Sequence, residues 1–256
     1  MNRIAGAVRS AQGGGPAIIA YLTAGYPRRE DFLAHLDAVG AAADVVEIGV
    51  PFSDPMADGL TIQRSSRVAL AAGVSLRWVL ELLAGSERAF TAPLLLMSYM
   101  NPLLAYGLDE LPARAREAGI SGFIVPDLPL EESTGLGRAL RQEGISLVQF
   151  VAPTTPPDRA ANLCDASEGF LYALTTTGIT GQDAALPDAT LAYLARLRRV
   201  SPVPVCAGFG IRNRAQVARL APHVDGVIVG SALIEAIDRG DDPGRFLRGL
   251  RERPAA

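Results

Sequence analysis

A carboxylate stands inside one of the most apolar segments of the chain. Glu47 interrupts the run Val45–Val50 (VVEIGV), where strand alternation places it on one face together with Val45 and Gly49. A charged side chain in such a run is costly unless it is paired or used in chemistry. One interpretation is an ion pair with a buried arginine. The other is a desolvated carboxyl group whose pKa is raised towards neutral pH for proton transfer.

A second carboxylate lies on the loop that follows this run. The loop PFSDPMADGLTIQ carries Asp54 and Asp58 before a helix that we predict to begin near Thr61. The structural interpretations are a turn capped by Asp54 and a helix capped by Asp58. Because Asp58 lies on the loop that leaves the strand of Glu47, both carboxylates can also reach one pocket. Two carboxyl groups in different environments can divide acid and base roles between them.

Two glycine-containing segments have the composition of an anion site. Gly208–Ile211 (GFGI) and Gly230–Ala232 (GSA) each follow an apolar run, and the second precedes a helix. Glycines let backbone N–H groups approach an anion, and a helix N-terminus adds a favourable dipole. Tight turning is the alternative explanation. The long segment Thr175–Pro187 has the small residues of a lid over a substrate, although a surface loop would have the same composition.

Short apolar runs alternate with amphipathic segments, which predicts parallel strands alternating with helices. The predicted strands are Ala17–Thr23, Val45–Val50, Leu94–Ser98, Gly122–Pro126, Ser146–Val151, Phe170–Leu174, Val203–Ala207 and Gly226–Gly230. The predicted helices are Arg29–Ala42, Thr61–Ala72, Leu76–Ala84, Leu108–Ala118, Glu131–Glu143, Asp158–Ala166, Asp188–Val200, Arg214–Leu220 and Ala232–Asp238. This pattern favours one α/β domain over residues 1–256, a (β/α)8 TIM barrel whose active site lies at the C-terminal ends of the strands.

The composition narrows the classes of function. The net charge of −3 gives no basic field for nucleic acid. All 24 basic residues are arginines, so the chain cannot form a lysine Schiff base. Two cysteines and two histidines, His35 and His223, are too few for a Cys/His zinc cluster. Without a visible signal peptide or membrane-spanning run, we predict a cytoplasmic enzyme that acts on a small phosphorylated metabolite by acid–base chemistry.

The chain contains, in this order, the stretches AYLTAGYP (Ala20–Pro27), EIGVPFSDPMADGLTIQ (Glu47–Gln63), SYMNPLLAYG (Ser98–Gly107), VPDLPLEES (Val125–Ser133), GITG (Gly178–Gly181), GFGI and GSA. Together they resemble the α subunit of tryptophan synthase. The resemblance implies a barrel that cleaves indole-3-glycerol phosphate to indole and glyceraldehyde 3-phosphate. It also implies a β-subunit partner in an α2β2 heterotetramer, to which the indole passes. No cofactor is expected in this chain, because pyridoxal phosphate belongs to the β subunit.

The resemblance further implies roles for single residues. Glu47 matches the family's catalytic glutamate, which protonates indole C3 and assists proton removal from the glycerol hydroxyl. Asp58 matches the aspartate that accepts a hydrogen bond from the indole N–H, and Thr180 matches a lid threonine that bonds this aspartate. The residues implied to line the substrate pocket are Tyr21, Ile62, Met97 and Tyr172. The residues implied to bind phosphate are Gly181, Phe209, Gly210, Gly230 and Ser231. The residues expected on loops that face the β subunit are Pro51, Asp54 and Asn101.

Two positions depart from the family pattern. Leu60 stands where the family usually has proline, and the lid lacks the arginine often found after its Thr-Gly pair. Three alternatives stay open: a stand-alone indole-releasing lyase, a poorly cleaving paralogue that only activates a β subunit, and another phosphate-binding barrel such as an isomerase of tryptophan or histidine biosynthesis. Intact Glu47 and Asp58 argue against the paralogue. The isomerase would need an acid–base pair at other strand ends, and no comparable pair is visible there.

Overall fold

The computed structural model describes residues 2–11, 14–175, 187–208 and 210–251. Within these ranges eight parallel strands close into a barrel in sequence order, with β1 paired to both β2 and β8. The predicted (β/α)8 fold is confirmed. The strands are β1 (Ala17–Thr23), β2 (Val45–Gly49), β3 (Leu94–Met97), β4 (Ile120–Ile124), β5 (Ser146–Val151), β6 (Leu171–Leu174), β7 (Val205–Gly208) and β8 (Gly226–Val229).

Helices surround the barrel and join consecutive strands. None of those in the described ranges has the length and apolar character needed to cross a bilayer. The helices are α1 (Arg3–Arg9), α2 (Phe32–Gly40), α3 (Leu60–Ala71), α4 (Leu76–Ala84), α5 (Met100–Tyr106), α6 (Leu111–Glu117), α7 (Thr134–Gln142), α8 (Pro157–Ala166), α9 (Asp188–Val200), α10 (Arg214–Leu220), α11 (Ser231–Asp238) and α12 (Pro243–Arg251).

The strands bury side chains on both faces, which explains their nearly continuous apolar sequence. In β2, Val46 and Ile48 pack beneath the helices, whereas Val45 belongs to the barrel interior. Glu47 points the same way as Val45 because successive side chains alternate. Its register partner on β1 is Tyr21, which also faces the interior. The fold therefore turns a carboxyl group into an apolar barrel.

All eight predicted strands are present, with ends shifted by at most two residues. The helix prediction was less complete, since it missed α1, α5 and α12. The predicted helix Glu131–Glu143 divides into a 3-10 turn at Leu130–Glu132 and α7. Helix α1 closes one end of the barrel: Ile4 is fully buried, and a Cβ atom on Gly122 would lie 2.7 Å from its Cδ1. Asn2 caps α1 by accepting a hydrogen bond from the Ile4 N–H.

Candidate active site

One pocket opens where the strands end and the loops begin. Its volume, including the mouth, is about 660 Å3, within the range of small-molecule sites. The structure brings together nine of the predicted catalytic, substrate-pocket and phosphate-binding residues, which are Tyr21, Glu47, Asp58, Ile62, Met97, Tyr172, Gly210, Gly230 and Ser231. The lining residues that were not predicted are Gly59, Arg212 and Ile228, and Ile211 and Ala232 line the pocket as members of the predicted GFGI and GSA segments.

Within the part of the chain that the structure describes, Glu47 is buried without a countercharge. Its side chain lines the pocket with only 1% of the residue exposed, and its Oε2 atom has no hydrogen-bond partner among the described residues. Within those residues no arginine forms an ion pair with it, so the structural interpretation of a buried Glu–Arg pair is wrong. Burial first, and then the nearby negative charge of Asp58, raise the pKa of Glu47 to about 8.

Asp58 is held in the pocket by the loop that carries it. Burial raises the pKa of Asp58 to about 6, and a hydrogen bond from the Tyr99 hydroxyl opposes that rise. The same hydroxyl accepts a hydrogen bond from the Ala57 N–H at 2.9 Å, and Gln63 Nε2 donates to the Asp58 carbonyl at 2.9 Å. Gly59, not Asp58, is the N-cap residue of α3, and no side chain caps that helix. The helix-capping interpretation of Asp58 is therefore wrong.

The two carboxyl groups titrate in an order that suits acid–base work. Because the pKa of Asp58 is raised less than that of Glu47, Asp58 ionises first as the pH rises. Near neutral pH the pair then consists of an anionic Asp58 and a protonated Glu47. Two carboxyl groups whose environments separate their pKa values can serve as acid and electrostatic stabiliser in one site. The sequence pointed to both residues, but Tyr99, which fixes Asp58, was missed.

Two tyrosines form walls of the pocket and need glycine opposite them. Tyr21 and Tyr172 are both buried, and burial is the main cause that raises the pKa of each well above its usual value. A Cβ atom on Gly49 would lie 2.6 Å from Cε2 of Tyr21. One on Gly208 would lie 2.7 Å from Cζ of Tyr172. Gly208 of the GFGI segment therefore makes room for a wall of the pocket.

Part of the pocket lining has the features of an anion site. Helix α11 begins at Ser231, with Gly230 as its N-cap. The first N–H groups of an α-helix have no acceptor within the helix and attract negative charge. Gly210 has a φ of 85°, a conformation that L side chains rarely adopt. Gly210, Gly230 and Ser231 all line the pocket, so the predicted phosphate residues of the described chain share one cavity.

Some predicted residues cannot be placed. Thr180, Gly181 and Phe209 lie outside the described residues, as does the lid from 176 to 186. Thr175, which precedes that segment, is buried and donates a hydrogen bond from its hydroxyl to the Gly208 carbonyl at 2.9 Å. Within the described ranges, no three His, Cys, Asp or Glu side chains are grouped as a metal site would require.

The three residues predicted to face a partner differ in their surroundings. Pro51 and Asp54 lie on the loop after β2, but Pro51 is buried whereas Asp54 is exposed. Asn101 is also exposed, yet it lies in the first turn of α5, so its placement on a loop was wrong. Helix α5 begins at Met100, whose N–H donates a hydrogen bond to the Asp127 carboxylate at 2.9 Å and so has an acceptor at the start of the helix.

Leu60, at the position where the family usually has proline, is the first residue of α3 and is 74% exposed. The helix therefore begins directly after Gly59 without a proline to fix its first turn. Met56, on the same loop, is also strongly exposed. Both exposed apolar side chains therefore lie on the segment that carries Asp58.

Comparison with known proteins agrees with this geometry. The family model described as "Tryptophan synthase alpha chain" matches residues 8–251. A tryptophan synthase alpha chain of Nitratidesulfovibrio vulgaris (strain DP4) is 41% identical over 254 residues, covering 98% of this chain and 99% of the relative. A tryptophan synthase structure from Mycobacterium tuberculosis superposes with a TM-score of 0.89 at 35% identity, covering 98% of this chain and 97% of that one. The alpha subunit from Legionella pneumophila str. Paris gives a TM-score of 0.85 at 35% identity, with the same coverage of 98% and 97%.

Proposed function

This chain belongs to the tryptophan synthase alpha chain family and is a lyase that cleaves indole-3-glycerol phosphate, and we propose that Glu47 and Asp58 carry out the cleavage. The observation that carries the proposal is the buried Glu47 carboxyl group, which has no countercharge among the described residues and lies close enough to Asp58 for the charge of Asp58 to raise its pKa. Indole and glyceraldehyde 3-phosphate together contain all the atoms of the substrate, so the reaction breaks one carbon–carbon bond with the help of proton transfers and needs no co-reactant.

The first step requires a proton at indole C3. Protonated Glu47 delivers it, and the indole becomes an electron-poor indolenine whose positive charge is shared with N1. Anionic Asp58 accepts a hydrogen bond from the N1–H and stabilises this charge, in a site with little water to screen the attraction. Tyr99 holds Asp58 in place and favours its ionised form by donating a hydrogen bond to it.

The second step breaks the bond between C3 and the glycerol side chain. The hydroxyl next to that bond loses its proton to the Glu47 carboxylate, its oxygen forms the aldehyde, and the bonding electrons return to the indolenine as indole is released. Glu47 ends the cycle protonated, as it began. A carboxyl group with a pKa near the working pH can both give and take a proton, and burial supplies that property here.

The remaining lining residues divide between the two ends of the substrate. Tyr21, Ile62, Met97 and Tyr172 offer an apolar wall for the indole ring and the glycerol chain. Gly210, Gly230 and Ser231 bind the phosphate through backbone N–H groups and the dipole of α11. Thr180, Gly181 and Phe209 are proposed to complete the lid and the phosphate site, on the strength of the family resemblance alone.

A β-subunit partner follows from membership of the family. We further propose that the two subunits form an α2β2 heterotetramer and that pyridoxal phosphate is held by the β subunit alone. The absence of lysine from this chain supports that division, because a Schiff base cannot form here. Asp54 and Asn101 are the exposed members of the predicted partner surface. A cytoplasmic location stays a prediction.

The direct test is indole release from indole-3-glycerol phosphate, measured with and without a β subunit. Slow release by the chain alone and a large gain with the β subunit would support the α-subunit role. Fast release by the chain alone would favour a stand-alone lyase. No release in either condition, with the β subunit still activated, would identify a paralogue that binds but does not cleave.

A further inference from the structure

The pocket contains two acidic residues, Glu47 and Asp58, which must share the cavity with the negatively charged phosphate group of the substrate. Among the described residues that line the pocket, Arg212 is the single cationic side chain. It follows β7, two residues beyond Gly210, and 32% of its side chain is exposed. A positive charge therefore lines the same pocket as Gly210 and the N-terminus of α11.

The position of Arg212 is fixed from several directions. Its backbone N–H donates to Gln216 Oε1 at 2.7 Å, which ties the residue to the start of α10. Its guanidinium group forms an ion pair with Glu235, with Nη1 3.4 Å from Oε1. The Thr61 hydroxyl donates to the same Glu235 oxygen at 3.2 Å, so α3 also contributes to this arrangement.

Glu235 places the guanidinium beside the start of α11. Glu235 and Ser231 lie one turn apart on that helix, so they occupy the same face. A guanidinium group presents its N–H donors in a planar fork whose geometry matches phosphate as well as carboxylate. A phosphate at the N-terminus of α11 would therefore meet both the helix dipole and an oriented arginine.

We propose that Arg212 recognises the phosphate group of the substrate, and that Glu235 and Thr61 are positioning residues that hold it there. The inference rests on the proposed function, because the substrate is taken from it, but it adds a side-chain charge to an anion site otherwise built from backbone groups. Arg212 would contribute to binding in the ground state and in the transition state alike. Its loss should raise KM and leave kcat nearly unchanged.

The test compares Arg212→Gln with the wild type on indole-3-glycerol phosphate, on the dephosphorylated indole-3-glycerol, and with inorganic phosphate as a competing ligand. We expect a rise in KM of about tenfold for the phosphorylated substrate, as a lost charge-assisted hydrogen bond predicts, with kcat within about threefold. The apparent Kd for phosphate should rise in parallel, and turnover of the dephosphorylated compound should not change. An unchanged KM and an unchanged phosphate Kd would overturn the proposal.

Three further variants distinguish phosphate recognition by Arg212 from a purely stabilising role of the Arg212–Glu235 ion pair. Arg64→Gln breaks another ion pair to α11, with Asp238, without removing a pocket residue, and should leave KM unchanged. Glu235→Gln keeps the arginine charge but loosens its positioning, and should raise the phosphate Kd by less than Arg212→Gln does. Arg212→Lys should bind phosphate with intermediate affinity, which keeps the proposal testable if the glutamine variant folds poorly. Equal losses of stability in Arg212→Gln and Glu235→Gln, with normal phosphate binding in both, would mean that the Arg212–Glu235 ion pair only stabilises the fold.

The phosphate measurement also separates this proposal from the proposed function. If the wild type releases no indole, the proposed function fails, while phosphate binding by the wild type and by Arg212→Gln still tests Arg212. If the wild type releases indole and Arg212→Gln keeps a normal KM, only the inference about Arg212 fails.

Discussion

The ring of Tyr172 lies directly against Gly208, the last residue of β7. A Cβ atom on Gly208 would lie 2.7 Å from Cζ of Tyr172, closer than real Cβ contacts allow. In the pairing of β6 with β7, Tyr172 lies opposite Cys206 and Leu174 lies opposite Gly208, so the Tyr172 ring contacts a residue two positions beyond its register partner. Because Tyr172 lines the pocket and also packs against Phe150 at a ring-centroid distance of 4.5 Å, it has little room to move.

Gly208→Ala should therefore displace Tyr172 and distort the pocket. Overpacking a tight site costs about 1–3 kcal/mol, and we expect kcat/KM for indole release to fall at least about tenfold. Gly135→Ala is the matched control, since an added Cβ atom on this exposed glycine of α7 meets nothing within 4 Å. The control should be as stable as the wild type or slightly more so, with normal activity. Equal activity of the two variants would contradict the packing argument.

The pH dependence of cleavage should be bell-shaped. Activity needs ionised Asp58 and protonated Glu47, whose pKa values are about 6 and about 8, so kcat/KM should fall below the first value and above the second. The two groups interact, so the limbs belong to the pair. The measurement is the pH profile of kcat/KM for indole release, and a profile flat from pH 5 to pH 9 would refute the assignment.

Tyr99→Phe should move the acidic limb of that profile to higher pH. The Tyr99 hydroxyl donates a hydrogen bond that lowers the pKa of Asp58, so its removal should let burial raise that pKa further. Ionisation of the substrate phosphate also contributes near this pH, but it is the same for both proteins and cannot cause a difference between them. An acidic limb that stays in place in Tyr99→Phe would show that Asp58 does not set it.

Replacing Glu47 should change how stability depends on pH. The folded pKa of Glu47 is about 8, above its ordinary 4.5, so the unfolded chain loses this proton at lower pH than the folded chain. The contribution of Glu47 to stability is therefore fully present below about pH 4.5 and is lost as the pH rises to about 8. Each pKa unit corresponds to about 1.4 kcal/mol.

Glu47→Gln has no such proton to lose. Its free energy of unfolding relative to the wild type should therefore increase from pH 4.5 to pH 8, by a few kcal/mol in order of magnitude, and level off above that range. Urea unfolding of both proteins across this interval measures the difference. A difference that is independent of pH would mean that Glu47 ionises normally in the folded protein.

Ser231→Asp should weaken binding of the phosphorylated substrate. The new carboxylate would stand at the N-terminus of α11, where the phosphate is proposed to bind, and like charges repel there. We expect KM to rise at least about tenfold, whereas Ser231→Ala, which keeps the backbone N–H, should change KM far less. Steady-state kinetics with both variants checks this, and an unchanged KM in Ser231→Asp would move the phosphate site elsewhere.

Local patterns were enough to predict the strands and the position of Glu47. Strands buried on both faces read as short apolar runs, and one carboxylate within such a run is visible without a structure. Helix α1 was missed because it is short. Its buried residues are Ile4, Ala5 and Val8, which are too few to show a helical period in the sequence. Helix α5 was missed because its start depends on Asp127, which lies far away in sequence.

The contacts that tune the site also join distant segments. Tyr99 reaches Asp58 from the loop after β3, and Arg212 meets Glu235 across the pocket rim. Neither pairing follows from spacing along the chain. Gly208 shows how a local pattern can suggest a different role. Its place in a glycine-rich segment indicated an anion site, whereas its contact with Tyr172 gives it a steric role.

The measurement that tests the central claim most directly is indole release from indole-3-glycerol phosphate by the wild type and by Glu47→Gln. Binding of a non-cleavable substrate analogue to both proteins serves as the control for folding. Loss of a general acid–base group should lower kcat by roughly 10²–10⁴-fold, while the analogue binds nearly as well as before. Turnover by Glu47→Gln within a few fold of the wild type would contradict the assignment of Glu47 as the proton donor.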